Sequence, residues 1–408
     1  MRHVLKRAGR GAAVALTGAG LMAGLSGCTD GTLDISSKRR SVEDIIRVVP
    51  GDGAKGVDPG DPLQVRLPSG RLERVRVTRI EDGAPTGIPG RISEDGLRWN
   101  PDPGAGLRLA AKYSVDVVAV DGHGRRTARH TTFTTEVPEH RFIGYFKPEN
   151  RATVGTGMII SFDFNRKIAD RAAVERAIRV TTDPQVEVAG HWFGTERLDL
   201  RPEKYWAPGT KVTVELRLRD VEAAPGAYGI QDKTVSFTVG RSQISLVDAE
   251  AKTMQVRRDG QVLATVPITA GAPKSTTYNG KMVVSELYDV TRMNGATVGF
   301  TDSTGKGEYD IKDVPHAMRL TDSGTFLHGN YWAAPEIFGS VNVSHGCVGL
   351  RDEKGGSGDS PAGWFFDRTL IGDVVEVVNS RDRTVEPANG LSGWNMDWKL
   401  WKEGSALR

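Results

Sequence analysis

From Ile45 onward apolar residues recur at every second position, in short runs ended by Gly, Pro or Asp. Leu63-Gln64-Val65-Arg66-Leu67, Leu72 to Ile80 and Tyr113 to Val120 alternate in this way, with turn signals at Asp82-Gly83 and Asp121-Gly122. A period of two places alternate side chains on opposite faces, so each run is a half-buried strand and the chain builds antiparallel sheets. The 49 Gly and 20 Pro leave little room for long helices. The pattern also repeats. Leu97 to Pro101, Tyr113 to Val120 and Thr131 to Thr134 are echoed by Leu198 to Pro202, Lys211 to Arg219 and Val235 to Thr238, the first and last pairs displaced by 101 and 104 residues. A near-constant displacement predicts two tandem β-sandwiches of one type, at residues 45–138 and 139–240, the second with a short helix at Arg171 to Ile178.

A third β-rich domain is expected over residues 241–380. It opens with strands at Ile244 to Asp248, Met254 to Arg257 and Val262 to Thr269, joined in part by an Asp259-Gly260 turn. Ser360-Pro361 predicts a helix cap and first turn, Ala362 to Leu370 a short helix stopped by Gly372, and Val374 to Val378 a buried strand. In residues 381–408 the spacing of Trp394, Trp398 and Trp401 places all three on one helical face, predicting a tail helix packed on the third domain.

The N-terminal segment has a different composition. Arg2, Lys6, Arg7 and Arg10 precede an uncharged stretch from Gly11 to Leu25, as in an export signal, and that stretch is too short and too rich in Gly and Ala for a membrane span. Leu25-Ser26-Gly27-Cys28 resembles a bacterial lipobox, which implies cleavage after residue 27, lipidation of Cys28 and a polar tether over 28–44. Removing residues 1–27, with four cationic and no acidic side chains, takes the formal charge from +3 to −1. The basic excess that drives nucleic-acid binding is then absent.

Cys347 would be the lone thiol of an exported chain, and a reactive role is one explanation for it. It lies in Val343-Ser344-His345-Gly346-Cys347-Val348-Gly349-Leu350, downstream of Phe326-Leu327-His328-Gly329. A nucleophilic Cys needs a base and backbone amides for a developing oxyanion, and Gly346 permits a turn that exposes such amides. His345, two residues away, and His328 both qualify as base on local order. His123, His130, His140 and His191 are scattered without metal-ligand spacing, and no phosphate loop or nucleotide fingerprint occurs.

His328, fifteen intervening residues and then Ser344-His345-Gly346-Cys347 resemble the signature of the L,D-transpeptidases, the YkuD-type catalytic domain. The order of lipobox, two modules, catalytic domain and Trp-rich tail, with Tyr205-Trp206-Ala207-Pro208-Gly209-Thr210-Lys211 and Gly393-Trp394-Asn395, is similar to actinobacterial members. The resemblance implies a mainly β chain of two immunoglobulin-like sandwiches followed by a YkuD-type domain. It implies Cys347 as nucleophile, His328 as base and the Gly329 carbonyl as orienter of the imidazole, the side chain at 329 mattering little. His345 and Ser344 would shape the pocket, Gly346 and Cys347 N–H groups would hold the oxyanion, and Tyr309, Met293, Gly324 and Trp332 would border the substrate. Core or loop packing is the competing role for Tyr309, Met293 and Trp332. Many members carry Asn two residues after the nucleophile. Here Gly349 stands there, with Arg351 and Asp352 nearby to compensate, and Gly355 to Ser360 form an enlarged loop.

The implied reaction is cofactor-free transfer between peptidoglycan stem peptides. Cys347 takes the acyl group of the third residue of a donor tetrapeptide, D-Ala leaves, and an acceptor amine resolves the thioester into a 3→3 cross-link. Water as acceptor gives an L,D-carboxypeptidase. Carbapenem β-lactams would acylate the same thiol, and the lipid on Cys28 would hold the protein on the outer face of the membrane. A papain-like endopeptidase is disfavoured because there the Cys precedes its His, and a non-catalytic wall-binding lipoprotein leaves the thiol and its histidines unexplained.

Overall fold

A computed structural model describes residues 45–80, 85–301 and 303–407. The export signal, Cys28, the tether and the Asp82-Gly83 turn lie outside the described residues.

The repeated pattern becomes repeated topology. In the first module, Arg98–Pro101 lies between Gln64–Arg66 and Gly90–Ile92 in one four-stranded sheet, while Lys112–Val120 lies between Arg71–Ile80 and Arg126–Thr134 in the other. In the second, Arg197–Pro202 lies between Ile160–Phe164 and Val188–Phe193, and Lys211–Arg217 lies between Ile178–Asp183 and Asp232–Val239. Each pair of sheets closes on its own alternating inward residues: Val65, Trp99, Tyr113, Val115 and Phe133 in one, Phe162, Leu198, Val212, Val214 and Phe237 in the other. The helix of the second module is Arg171–Arg176, capped by Asp170, and Ile178 already opens a strand.

The third domain is built on a nine-stranded sheet in the order Gly280–Val283, Val374–Val378, Gln243–Asp248, Thr253–Arg258, Gln261–Thr269, Val348–Arg351, Phe326–Asn330, Asp310–Arg319 and Glu286–Asn294. The Asp259-Gly260 turn has positive φ at both residues (49° and 84°), the twist a tight hairpin needs. Two neighbours are parallel: Gln243–Asp248 with Val374–Val378, and Phe326–Asn330 with Val348–Arg351. The helix Pro361–Phe366 covers one face, burying Ala362 and Phe365 with Leu327, Val348 and Leu350. Ser360 caps it as expected, its Oγ accepting from the Gly363 N–H at 2.9 Å, but it ends four residues before Leu370. The Thr369 hydroxyl donates to the Phe365 carbonyl instead of the chain adding a further turn.

The tail departs from the expectation in two ways. Gly393–Asn395 is a single 3-10 turn, Met396 is extended, and a separate helix, Trp398–Glu403, starts from the Asp397 cap, so Trp394 is not on its face. That helix packs on the second sandwich rather than on the catalytic domain: Trp401 stacks on His191 at 4.9 Å and its indole N–H donates to the Ala189 carbonyl at 2.9 Å. The cause is Arg201, whose guanidinium carbon lies 4.7, 5.3 and 4.4 Å from the rings of Trp394, Trp398 and Trp401. Burial pushes this guanidinium down to about 10, and aromatic faces replace part of its lost hydration. Two backbone contacts, Gly155 N–H to Ile371 O at 2.8 Å and Gly157 N–H to Gly372 O at 2.9 Å, fasten the second module to the catalytic domain.

Trp401, fully buried, should cost about 3–5 kcal/mol on truncation to Ala. Denaturant unfolding of Trp401→Ala checks this, with limited proteolysis expected to cut first within the tail.

Candidate active site

Strand alternation separates structure from chemistry in the parallel pair. Leu327 pairs with Val348, and both point with Leu350 into the core beneath the helix Pro361–Phe366. The intervening residues Phe326, His328 and Asn330 therefore share the opposite face with Cys347 and Gly349, His328 lying directly across from Gly349. On that face a cavity of about 350 Å³ is walled by Met293, Tyr309, His328, Asn330, Trp332, Ser344, His345 and Cys347.

The geometry separates the two histidines that local order left equivalent. His328 is 4% exposed and its Nδ1 lies 2.9 Å from the Gly329 carbonyl. Only a donor satisfies a carbonyl, so Nδ1 carries the proton and Nε2 is the basic nitrogen. Trp332 stacks on the ring at 5.5 Å, nearly parallel. His345 is half-exposed and turned toward the opposite wall: its Nε2 lies 3.4 Å from a Glu308 carboxylate oxygen, and its ring faces Tyr309 at 5.0 Å and Phe300 at 5.9 Å.

Cys347 rests as a neutral thiol. Its Sγ faces the Gly324 carbonyl at 3.6 Å, and burial pushes the thiol up to about 11 although the Phe326 N–H favours the thiolate. Burial likewise pushes His328 below its ordinary value, only partly offset by the Gly329 contact. Both shifts favour the uncharged forms, so a neutral imidazole and a neutral thiol line the same cavity. Tyr309 is pushed up to about 12 by burial and by proximity to Cys347. Gly324 has a φ of 94°, and a Cβ there would meet Val298 at 2.4 Å, so this glycine lets the short 3-10 segment Gly295–Val298 lie against the thiol's acceptor.

Ser344 ties the turn that carries the nucleophile. Its hydroxyl donates to the Cys347 carbonyl at 2.5 Å and accepts from the Gly346 N–H at 3.2 Å, while its backbone bridges to Ala270 and Ala272. The expected oxyanion donor at Gly346 is thus engaged with Ser344 in this conformation.

Two further expectations are corrected. A Cβ at Gly329 would lie 2.1 Å from Asp352 Oδ2, so the side chain at 329 matters: only hydrogen fits against that carboxylate. Asp352 is itself occupied, with Oδ2 at 2.7 Å from His316 Nδ1 and Oδ1 accepting from the Glu353 and Ser357 N–H groups. It anchors the 352–360 loop behind His328. It does not replace a side chain at 349, and neither does Arg351, exposed at the strand end. Asn330 is the wall residue missed in the sequence. The same alternation that links His328 to the cavity, carried two residues further, would have found it.

Residues 242–377 match the family described as L,D-transpeptidase catalytic domain, and residues 54–222 match the bacterial Ig domain family in a single stretch running from the first module into the second. L,D-transpeptidase 2 of Mycobacterium tuberculosis is 34% identical over 355 residues, 87% of this chain and 83% of its own length. L,D-transpeptidase 5 of the same species is 29% identical over 390 residues, 94% of this chain and 82% of its own. A solved L,D-transpeptidase in complex with imipenem superposes with a TM-score of 0.47 at 31% identity, across 59% of this chain and all of that one.

With the thiol near 11, its thiolate fraction should rise about tenfold per pH unit from 7 to 10. Iodoacetamide alkylation of Cys347, followed by intact mass, should rise with that slope and reach no plateau below pH 10. Gly329→Ala should displace the carbonyl that orients His328. The same assay should show an altered pH profile, with a lowered Tm from the clash with Asp352.

Proposed function

The chain belongs to the L,D-transpeptidase family, and from that premise we propose that it cross-links peptidoglycan through a thioester on Cys347. The observation that carries the proposal is the shared face on which a buried, neutral Cys347 and a buried, neutral His328 meet one cavity, with the Nδ1 proton of His328 committed to Gly329.

In the proposed reaction His328 Nε2 takes the Cys347 proton as sulfur bonds to the carbonyl carbon of the third donor residue. The Cys347 N–H steadies the oxyanion, and the Gly346 N–H joins it if released from Ser344. Collapse breaks the C–N bond, and D-Ala leaves with the proton from His328. The amine of an acceptor stem then attacks the thioester and gives a proton to His328. The C–S bond breaks, and the thiol is restored as the 3→3 link forms. Met293, Tyr309 and Trp332 border the donor, Gly324 holds the thiol by its carbonyl, and Ser344 and His345 hold the opposite rim. Water in place of the amine makes the same site an L,D-carboxypeptidase. Imipenem, bound in the solved relative, is expected to acylate Cys347 here.

We propose further that Cys28 is lipidated and anchors the protein outside the cytoplasmic membrane. The support is the sequence Leu25-Ser26-Gly27-Cys28 behind its charged and apolar segments. No helix among the described residues is long and apolar enough to cross a membrane.

A soluble form starting at Thr29, incubated with disaccharide-tetrapeptide, should yield cross-linked dimer and free D-Ala by mass spectrometry. Cys347→Ala should yield neither, and His328→Gln should be slower by about 10²–10⁴. Tripeptide monomer alone would make the enzyme a carboxypeptidase on that substrate; unchanged tetrapeptide from folded protein would sink the transpeptidase reading. Cys28→Ser in the full chain should move the protein from the membrane to the soluble fraction.

A further inference from the structure

Asn330 is a polar wall of the cavity that the mechanism above leaves without a task. It is 4% exposed and stands on the same face as His328 and Cys347. Its Oδ1 accepts from the Ala333 N–H at 3.0 Å, which fixes the amide plane and points Nδ2 away from the loop. Among the described residues Nδ2 donates to no partner, and it is not among the sealed, unpaired polar atoms, so it keeps some accessible surface on the residue that lines the cavity. A buried amide nitrogen with unspent donors beside a cavity is a site for an acceptor on a ligand.

Gly349 is what gives the amide this place. A Cβ at 349 would lie 3.3 Å from Asn330 Nδ2, 3.4 Å from Asn330 Cβ and 2.9 Å from Thr269 Cγ2. A side chain there would crowd Thr269 and press on the amide, so the missing side chain at 349 and the amide at 330 share one space. In register, Asn330 pairs with Arg351, two residues beyond the pair His328 and Gly349, and its side chain lies back against Gly349. Two residues of strand span roughly 7 Å, about one residue of extended peptide plus one hydrogen bond, the reach from an attacked carbonyl to a donor on the carbonyl next to it.

We propose that Asn330 is a substrate-positioning residue. Its Nδ2 donates to a carbonyl oxygen of the donor stem peptide adjacent to the acylated one, a contact that orients the donor on Cys347. This rests on the transpeptidase reading above.

The test compares two reactions of the same thiol in the Thr29 form: acylation by disaccharide-tetrapeptide and alkylation by iodoacetamide, both by intact mass. Asn330→Ala should lower kcat/KM for the tetrapeptide by about tenfold or more, the worth of one such hydrogen bond. Its alkylation rate and pH profile should be unchanged. Asn330→Asp keeps an oxygen for the Ala333 N–H while turning the donor into an acceptor, and its acylation should be at least as slow. Wild-type acylation by Asn330→Asp would assign the residue to anchoring the loop and overturn the proposal. So would acylation and alkylation falling together in Asn330→Ala, or neither falling. If the wild type itself is not acylated by tetrapeptide, the transpeptidase reading has failed and the proposal with it, a result distinguishable from wild type and variant being acylated alike.

Discussion

The parallel pairing of Phe326–Asn330 with Val348–Arg351 is the constraint from which the site follows. Cys347 and His328 are 19 residues apart in the chain, and neither local turn brings them together. One register does, because the period of two sorts both strands at once: Leu327, Val348 and Leu350 go into the core, and His328, Asn330 and Cys347 go to the cavity. A slip of one residue would bury His328 and expose the leucines, so the apolar face fixes the one that lines the cavity. The helix Pro361–Phe366 enforces the register by packing on these strands from below.

Behind that pair is a second layer with its own logic. The imidazole is oriented by a backbone carbonyl, and the residue that owns the carbonyl must be Gly because Asp352 lies against its α-carbon. Asp352 is held in turn by His316, whose left-handed φ of 49° turns its ring toward the carboxylate, and it gathers the start of the 352–360 loop through two backbone N–H groups. The enlarged loop is thereby tied to the strand that carries the base. Its anchoring atom is a buried carboxylate rather than any residue of the Gly/Ser run itself.

Alternation made most of this legible. The strands and the repeat are carried by period two, turn residues and spacing, all local properties of the chain, while the pairing of Cys347 with His328 is implied by the family resemblance. What stayed hidden depends on contacts between residues far apart in sequence. The choice of His328 over His345 rests on the burial of one ring and the contact of the other with Glu308. The intolerance at Gly329 comes from Asp352, across the parallel strand. The tryptophan spacing predicts one helical stripe on the third domain, whereas Trp394 sits in a separate turn and Trp401 packs on the second sandwich. Helical periodicity says that a face is covered and not what covers it, and Arg201 lies 193 residues before Trp394.

That last contact changes how the modules work. Two sandwiches in tandem suggest two equivalent spacers, yet they are attached differently. The second shares its apolar cluster with Val283, Leu391 and Trp394 of the catalytic domain and tail, and it holds Ala388 and Gly390 carbonyls through Arg197. The first meets the second through polar contacts, among them the Arg108 to Asp232 ion pair at 2.6 Å, both side chains more than a third exposed, and the Leu109 N–H that Asp220 accepts. Exposed pairs contribute little, and a shared core contributes much. The second sandwich is therefore part of the catalytic body, bracing the tail and the end of the sheet, and the first is attached to it by polar contacts.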